Sequence, residues 1–203
     1  MAEANANTMI SLSPTKGTYS VKRLSLLLLC ASLAAAAARA SSPLVHEEMW
    51  QGLSISLHSA NSGSINPVHF SARIDGDAIL DTVVSVEGIV TAVEVADLDR
   101  DGFPEIYAFV ASVGSGSYGS IVAFASKRNR SMTPVHQLPV AEGSSALQGY
   151  MGHDRFRVLP RSIERSFPVY RPGDTNAGPS GGRRRLEYEL VAGETGWLLQ
   201  PRY

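Results

Sequence analysis

The stretch Ile106-Tyr-Ala-Phe-Val-Ala111, followed shortly by Ile121-Val-Ala-Phe-Ala125, decides the fold. Both runs are apolar at successive positions and rich in β-formers. A segment that buries both of its faces reads as a central strand. Between them lies Gly114-Ser-Gly-Ser-Tyr-Gly-Ser120. Two strong β segments around a glycine-rich connection predict a hairpin, with the glycines supplying the positive φ values that tight turns need.

Two sharper readings of the same loop fail. Gly114, Gly116 and Gly119 have the G-x-G-x-x-G spacing of a dinucleotide loop. That site needs a helix after the glycines to meet the pyrophosphate, and Ser120–Ser126 alternates as a strand instead. An acid about 20 residues on is also required, and Glu142 stands in a poor context. A nucleophile elbow needs glycines two before and two after its serine. Neither Ser115 nor Ser117 has that frame. A hairpin accounts for the glycines and leaves Ser115, Ser117 and Tyr118 over. An aromatic and two hydroxyls on a rigid tip suit entry into a partner's cleft.

Outward from the hairpin the apolar period stays at two. Leu53, Ile55 and Leu57 alternate with polar residues, as do Val68, Phe70, Ala72 and Ile74. Val84 and Val86, Val93 and Val95, Phe156 and Val158, Phe167 and Val169, and Leu186, Tyr188 and Leu190 continue the pattern. Trp197-Leu-Leu199 closes it, and one short helical piece is expected near Glu142–Leu147. Eight to ten short strands with Gly/Pro-marked loops predict an all-β fold, a sandwich or a barrel. No inner linker argues for two domains, so residues 41–203 are expected to form one.

Residues 1–40 read as a leader and signal peptide. Lys22-Arg23 precedes an uncharged run from Leu24 to Ala38, and Ala38-Arg39-Ala40 is an A-x-A cleavage site. The run is short and Ala-rich for a membrane span, so no membrane attachment is expected after cleavage. Cys30, the single cysteine, lies inside it. Lipoprotein acylation there is the alternative, but a large Leu29 stands where a small residue is wanted. The mature chain would then lack disulfides and rely on its core, which about 160 residues can supply. An envelope compartment of a bacterium fits better than the extracellular medium of an animal. The mature chain has 18 acids and 14 bases, a net charge of −4. That balance excludes a polybasic nucleic-acid binder, and Arg183-Arg-Arg185 reads as a solvated strand entry.

Asp97-Leu-Asp99-Arg-Asp101-Gly102-Phe-Pro-Glu105 sets three carboxylates around a tight loop, with Glu105 as a further oxygen donor. This is the donor set of a hard cation such as calcium, and it resembles the Asp-rich loops of FG-GAP proteins. The position of the EF-hand's bidentate glutamate holds Ala108. An Asp/Gly turn closed by side-chain to backbone hydrogen bonds is the competing reading. The five histidines show no H-x-H or H-x-x-x-H spacing. His153-Asp154 could be a catalytic pair, but no serine accompanies it, and bracing a loop is the better role.

Taken together, VADLDRDGFPEIYAF, GSGSYGSIVAFAS, GYMGHDRF and YRPGDTNAGPSGG resemble the periplasmic inhibitors of invertebrate-type (i-type) lysozyme from Gram-negative bacteria. The resemblance runs from about Trp50 to Trp197, and the S-G-S-Y element is its most specific part. It implies an all-β, antiparallel β-sandwich of roughly eight strands, periplasmic and usually a homodimer, with no enzymatic activity; no cofactor is expected. Its partner would be an i-type lysozyme, blocked by a loop inserted into the substrate cleft. Carried over, that loop is Ser115, Gly116, Ser117 and Tyr118. The rival reading is a calcium-binding β-module for adhesion or carbohydrate binding, using Asp97, Asp99, Asp101 and Glu105. An envelope hydrolase built on His153 and Asp154 ranks third.

Overall fold

The computed structural model describes residues 42–202. The expected leader, signal segment and Cys30 lie outside them. The described residues are all-β, as expected, but hold twelve strands rather than about eight. Four form one sheet in the order β1-β2-β3-β4: Leu44–Trp50, Leu53–Ser59, Ile65–Ile74 and Asp77–Glu87. Eight form a second, nearly closed sheet in the order β5-β6-β7-β8-β12-β11-β10-β9. Those strands are β5 (Ile89–Ala96), β6 (Glu105–Ala111), β7 (Gly119–Ser126), β8 (Met132–Gln137), β9 (Arg155–Leu159), β10 (Ser162–Pro168), β11 (Arg183–Ala192) and β12 (Trp197–Arg202).

Strand β6 lies between two cores, which is why Ile106–Ala111 has no polar face. Ile106, Ala108 and Val110 point to the first core, among Leu53, Ile55, Phe70 and Phe124. Tyr107 and Phe109 point the other way, to Ile163, Phe167, Tyr188 and Leu199. The first core joins the four-stranded sheet to the β5–β8 half of the large sheet. The second is enclosed as the large sheet curls back on itself, so that Phe109 of β6 stacks on Phe156 of β9 at 5.2 Å. The simple two-sheet sandwich is therefore extended by a third layer, β9–β12.

The chain passes from one sheet to the other at Gly88. It has φ +138°, and a Cβ there would lie 2.2 Å from the carbonyl oxygen of Ala111. Two buried asparagines lock this crossing. Asn66 Nδ2 donates to the carbonyls of Gly63 and Gly88, both at 2.7 Å. Asn61 exchanges two hydrogen bonds with the backbone of Val90, imitating a neighbouring strand.

The expectation of an antiparallel fold meets one exception. Strand β12 pairs parallel with β8, through Val135↔Trp197 to Gln137↔Leu199. The chain leaves β8, makes a 3-10 turn at Ser145–Leu147 where a short helix was expected, and returns through the β9–β12 meander. Proline 134 is tolerated in this interior strand because pairing to β12 starts only at Val135.

Candidate functional site

The expected hairpin is present: β6 and β7 pair antiparallel from Glu105↔Ala125 to Ala111↔Gly119. Its connection is closed at the base by Ser112. The Ser112 N–H donates to the Tyr118 carbonyl at 2.8 Å, and the Ser112 hydroxyl accepts from the Tyr118 N–H at 2.8 Å. At the tip the Ser117 N–H donates to Gly114 O at 3.3 Å, and the Ser117 hydroxyl turns toward the same oxygen. Ser115 is exposed, and Tyr118 is 53% exposed.

The role expected of the glycines needs correction. Of the three, only Gly114 has a positive φ, and the clearly left-handed residue of the turn is Ser117 at φ 43°. Gly116 and Gly119 are needed for close approach. A Cβ on Gly116 would sit 2.5 Å from Cε2 of Tyr118, so the phenol ring lies over that backbone. A Cβ on Gly119 would sit 2.6 Å from Asp154 Cβ and from the Phe156 ring.

Distant segments hold the loop in place. The Gly119 N–H donates to Asp154 Oδ2 at 2.7 Å. The His153 N–H donates to Gly116 O, and Gly152 passes so close that a Cβ would lie 2.0 Å from that oxygen. Asn176 Nδ2 donates to the Ser115 carbonyl at 3.0 Å, and Asn176 is itself met by His153 Nε2 and by the Tyr170 hydroxyl. Three of the four stretches that carried the family resemblance, around Gly114, Gly149 and Tyr170, thus converge on one spot.

Beneath the loop is a buried charged network. The Asp154 carboxylate is fully buried and bonds Arg165 Nε at 2.7 Å. It also accepts from the Tyr150 hydroxyl at 2.6 Å. Arg165 donates in turn to the hydroxyls of Tyr150 and Tyr188. Burial, with the hydrogen bond to Asp154 behind it, holds the Tyr150 phenol above its ordinary range. Arg165 stays charged: burial works against the cation, but Asp154 more than offsets it and its pKa is raised. The Tyr150 ring meets Tyr118 edge-on at 5.7 Å. His153 and Asp154 have separate partners, so the pair braces the loop, as the better of its two expected roles had it.

Sequence reasoning singled out the tip and missed most of its surroundings. Asn176, Arg165 and Tyr150 are brought to it by tertiary folding. Val113 (60% exposed) and Met151 (46% exposed) add apolar surface on the tip and on the segment beside it. The advance signals were the Gly149-Tyr-Met-Gly-His-Asp154 run and the Tyr170–Gly182 stretch that contains Asn176, both quoted for the family resemblance.

The aspartate loop lies at the other end of β6, roughly 20 Å away at the rise of an extended strand. The Asp101 N–H is shared between Asp97 Oδ1 at 3.1 Å and Asp99 Oδ1 at 3.0 Å. Asp97 Oδ2 accepts from Gly102 N, and Asp101 Oδ1 from Phe103 N. Glu105 is 2% exposed and accepts from Leu98 N and from the Tyr107 hydroxyl. Asp97, Asp99 and Glu105 offer oxygens within 4.8 Å of one another, and Asp101 is not in that group. Burial pushes the Glu105 carboxyl up to about 8, the Leu98 hydrogen bond opposing it, and burial also raises Asp99. These oxygens suit a hard cation.

Comparison with known proteins gives one match. The family model described as periplasmic lysozyme inhibitor of I-type lysozyme matches residues 53–155, from the start of β2 to the first residue of β9. The match is narrower than the Trp50–Trp197 span of the resemblance: it contains both loops and the Gly149–Asp154 brace but not Asn176. No curated protein and no solved structure matches the chain. With a match over half its length that includes the braced tip, the chain belongs to the family of periplasmic inhibitors of I-type lysozyme.

Proposed function

We propose that the chain inhibits an i-type lysozyme by inserting the Ser115–Tyr118 tip into the enzyme's active-site cleft, protecting bacterial peptidoglycan. The observation that carries this reading is a tip whose backbone is gripped on both sides while Ser115 and Tyr118 face solvent. Glycosidases work with two carboxylates flanking the scissile bond. The Ser115 hydroxyl can donate to one of them where a substrate hydroxyl would bind, and Tyr118 can fill an adjoining sugar subsite. Because the tip is already ordered, little conformational entropy is lost on binding. Inhibition is then competitive occlusion with no covalent step. Secretion to the periplasm and a homodimeric state accompany this reading through the family; light scattering of the mature protein tests the dimer.

The double variant Ser115→Ala, Tyr118→Ala should keep its melting temperature and lose inhibition of an i-type lysozyme. Inhibition at wild-type potency would show that the tip is not the inhibitory element.

A second reading is favoured by one observation, the approach of Asp97, Asp99 and Glu105 within 4.8 Å. It makes the chain a calcium-binding β-module for adhesion or carbohydrate binding. Calorimetric titration with calcium, run beside a lysozyme turnover assay, separates the two. Tight calcium binding with no effect on turnover selects the module.

A further inference from the structure

The charge of the mature chain is divided between its halves. Residues 41–105 carry eleven carboxylates and two basic side chains. Residues 106–203 carry seven carboxylates and twelve basic side chains, so a chain of net −4 has one half at −9 and the other at +5. Four of the twelve, Arg155, Arg157, Arg183 and Arg185, lie on the outer face of β9, β10 and β11. Cross-strand register puts Arg155, Ser166 and Arg185 in one row and Arg157, Glu164 and Glu187 in the next. Glu164 is shared between Arg157 at 3.3 Å and Arg185 at 3.5 Å, and both arginines remain about two-thirds exposed or more. Arg183 donates to the Ser166 hydroxyl at 3.3 Å and has no carboxylate partner among the described residues. Two guanidiniums thus share the Glu164 carboxylate, and with Arg155 they line a shallow cavity of about 300 Å³, Arg183 standing next to it on Ser166.

This face adjoins the braced tip. Arg155 follows Asp154, which grips Gly119. Arg183 ends the loop that carries Asn176, which grips Ser115. Farther along β11, away from the tip, the sign reverses at Glu187 and Glu189. On this face the arginines therefore lie toward the end that presents Ser115 and Tyr118.

We propose that this arginine face is a second contact surface for the same partner, and that the lysozyme it fits carries an acidic rim beside its cleft. The inference rests on the inhibitor reading and specifies its partner. Complementary charge beside a docking site raises the association rate and orients the encounter, and salt screens it. Dissociation is left to the inserted tip.

The test is the onset of lysozyme inhibition at about 20 mM and about 300 mM salt, conditions that bracket the change in screening length. One variant is Arg155→Gln, Arg157→Gln, Arg185→Gln. Its control, Lys127→Gln, Arg128→Gln, Arg130→Gln, removes the same charge from the β7–β8 turn at the opposite end of the sheet. The arginine variant should associate roughly tenfold more slowly at low salt, with its dissociation rate unchanged and the gap closing at high salt. The control should lose less than about threefold, and lysine at the three arginine positions should restore most of the rate. An arginine variant as fast as wild type at low salt, or one no slower than the control, overturns the proposal and leaves the inhibitor reading standing. A variant that inhibits normally but no longer binds vesicles containing phosphatidylglycerol also overturns it, assigning the face to lipid headgroups. Wild-type protein that leaves lysozyme turnover unaltered overturns both readings.

Discussion

Strand β6 separates two loops built on opposite plans. At its start, the Asp97–Pro104 loop closes on itself: Asp97, Asp99 and Asp101 all turn inward to N–H groups of their own segment. At its end, the Ser112–Tyr118 connection is held from outside, by Asp154, His153 and Asn176, through contacts 35 to 61 residues away in sequence for Asp154 and Asn176. A loop that uses its side chains on its own backbone has few left for a partner. A loop braced by others keeps its side chains free and its backbone rigid. The second plan suits a protein whose work is to present a shape.

The largest test of that contrast removes the brace. Asp154→Ala would leave Arg165 buried without its carboxylate, and such breakage costs about 3–5 kcal/mol. Chemical denaturation should show that loss, and inhibition should fall with it even where the protein is still folded.

The closed loop is tested by pH. Glu105 holds its proton up to about 8 in the folded protein, against 4.5 ordinarily. The folded state therefore binds this proton more tightly than the unfolded chain. Its contribution is complete below about pH 4.5 and is lost as pH rises toward 8, a swing on the order of 5 kcal/mol. Melting temperatures across that range should decline for wild type and stay flatter for Glu105→Gln. Equal slopes would show that Glu105 is ionised in the fold.

Smaller effects separate presentation from bracing. Tyr118→Ala should weaken inhibition about 30-fold or more, the roughly 2 kcal/mol of a central aromatic contact, with melting unaffected. Asn176→Ala loses one hydrogen bond to the tip and should weaken inhibition by about fivefold, near 1 kcal/mol. If Asn176→Ala matched Tyr118→Ala, the tip would owe as much to its brace as to its aromatic ring.

The strands predicted from alternation are present, because a half-buried strand writes its burial into every second residue. The two that were missed show where that signal fails. In β1 the consecutive His46-Glu47-Glu48 hides the alternation, although Leu44, His46, Glu48 and Trp50 form its more buried side. In β8, Pro134 argues against an interior strand until the pairing shows that β12 begins one residue later. Likewise His153-Asp154 advertises a pair, and only the fold sends the two side chains to different partners.

The sequence by itself determined the all-β class, the central place of Ile106–Ala111, the hairpin at Gly114–Ser120 and the family. Each is written in residues close together in the chain, as a period, a turn composition or a motif. Tertiary structure alone decided the parallel β8–β12 pairing, the curl that makes a second core, and the grip of Asp154 and Asn176 on the tip. Those depend on contacts between segments tens of residues apart, which no local pattern encodes. The reason glycine stands at 116 and 119 belongs with them: the spacing is visible in the chain, but the ring of Tyr118 and the side chains of Asp154 and Phe156 that exclude a Cβ are visible only once it has folded.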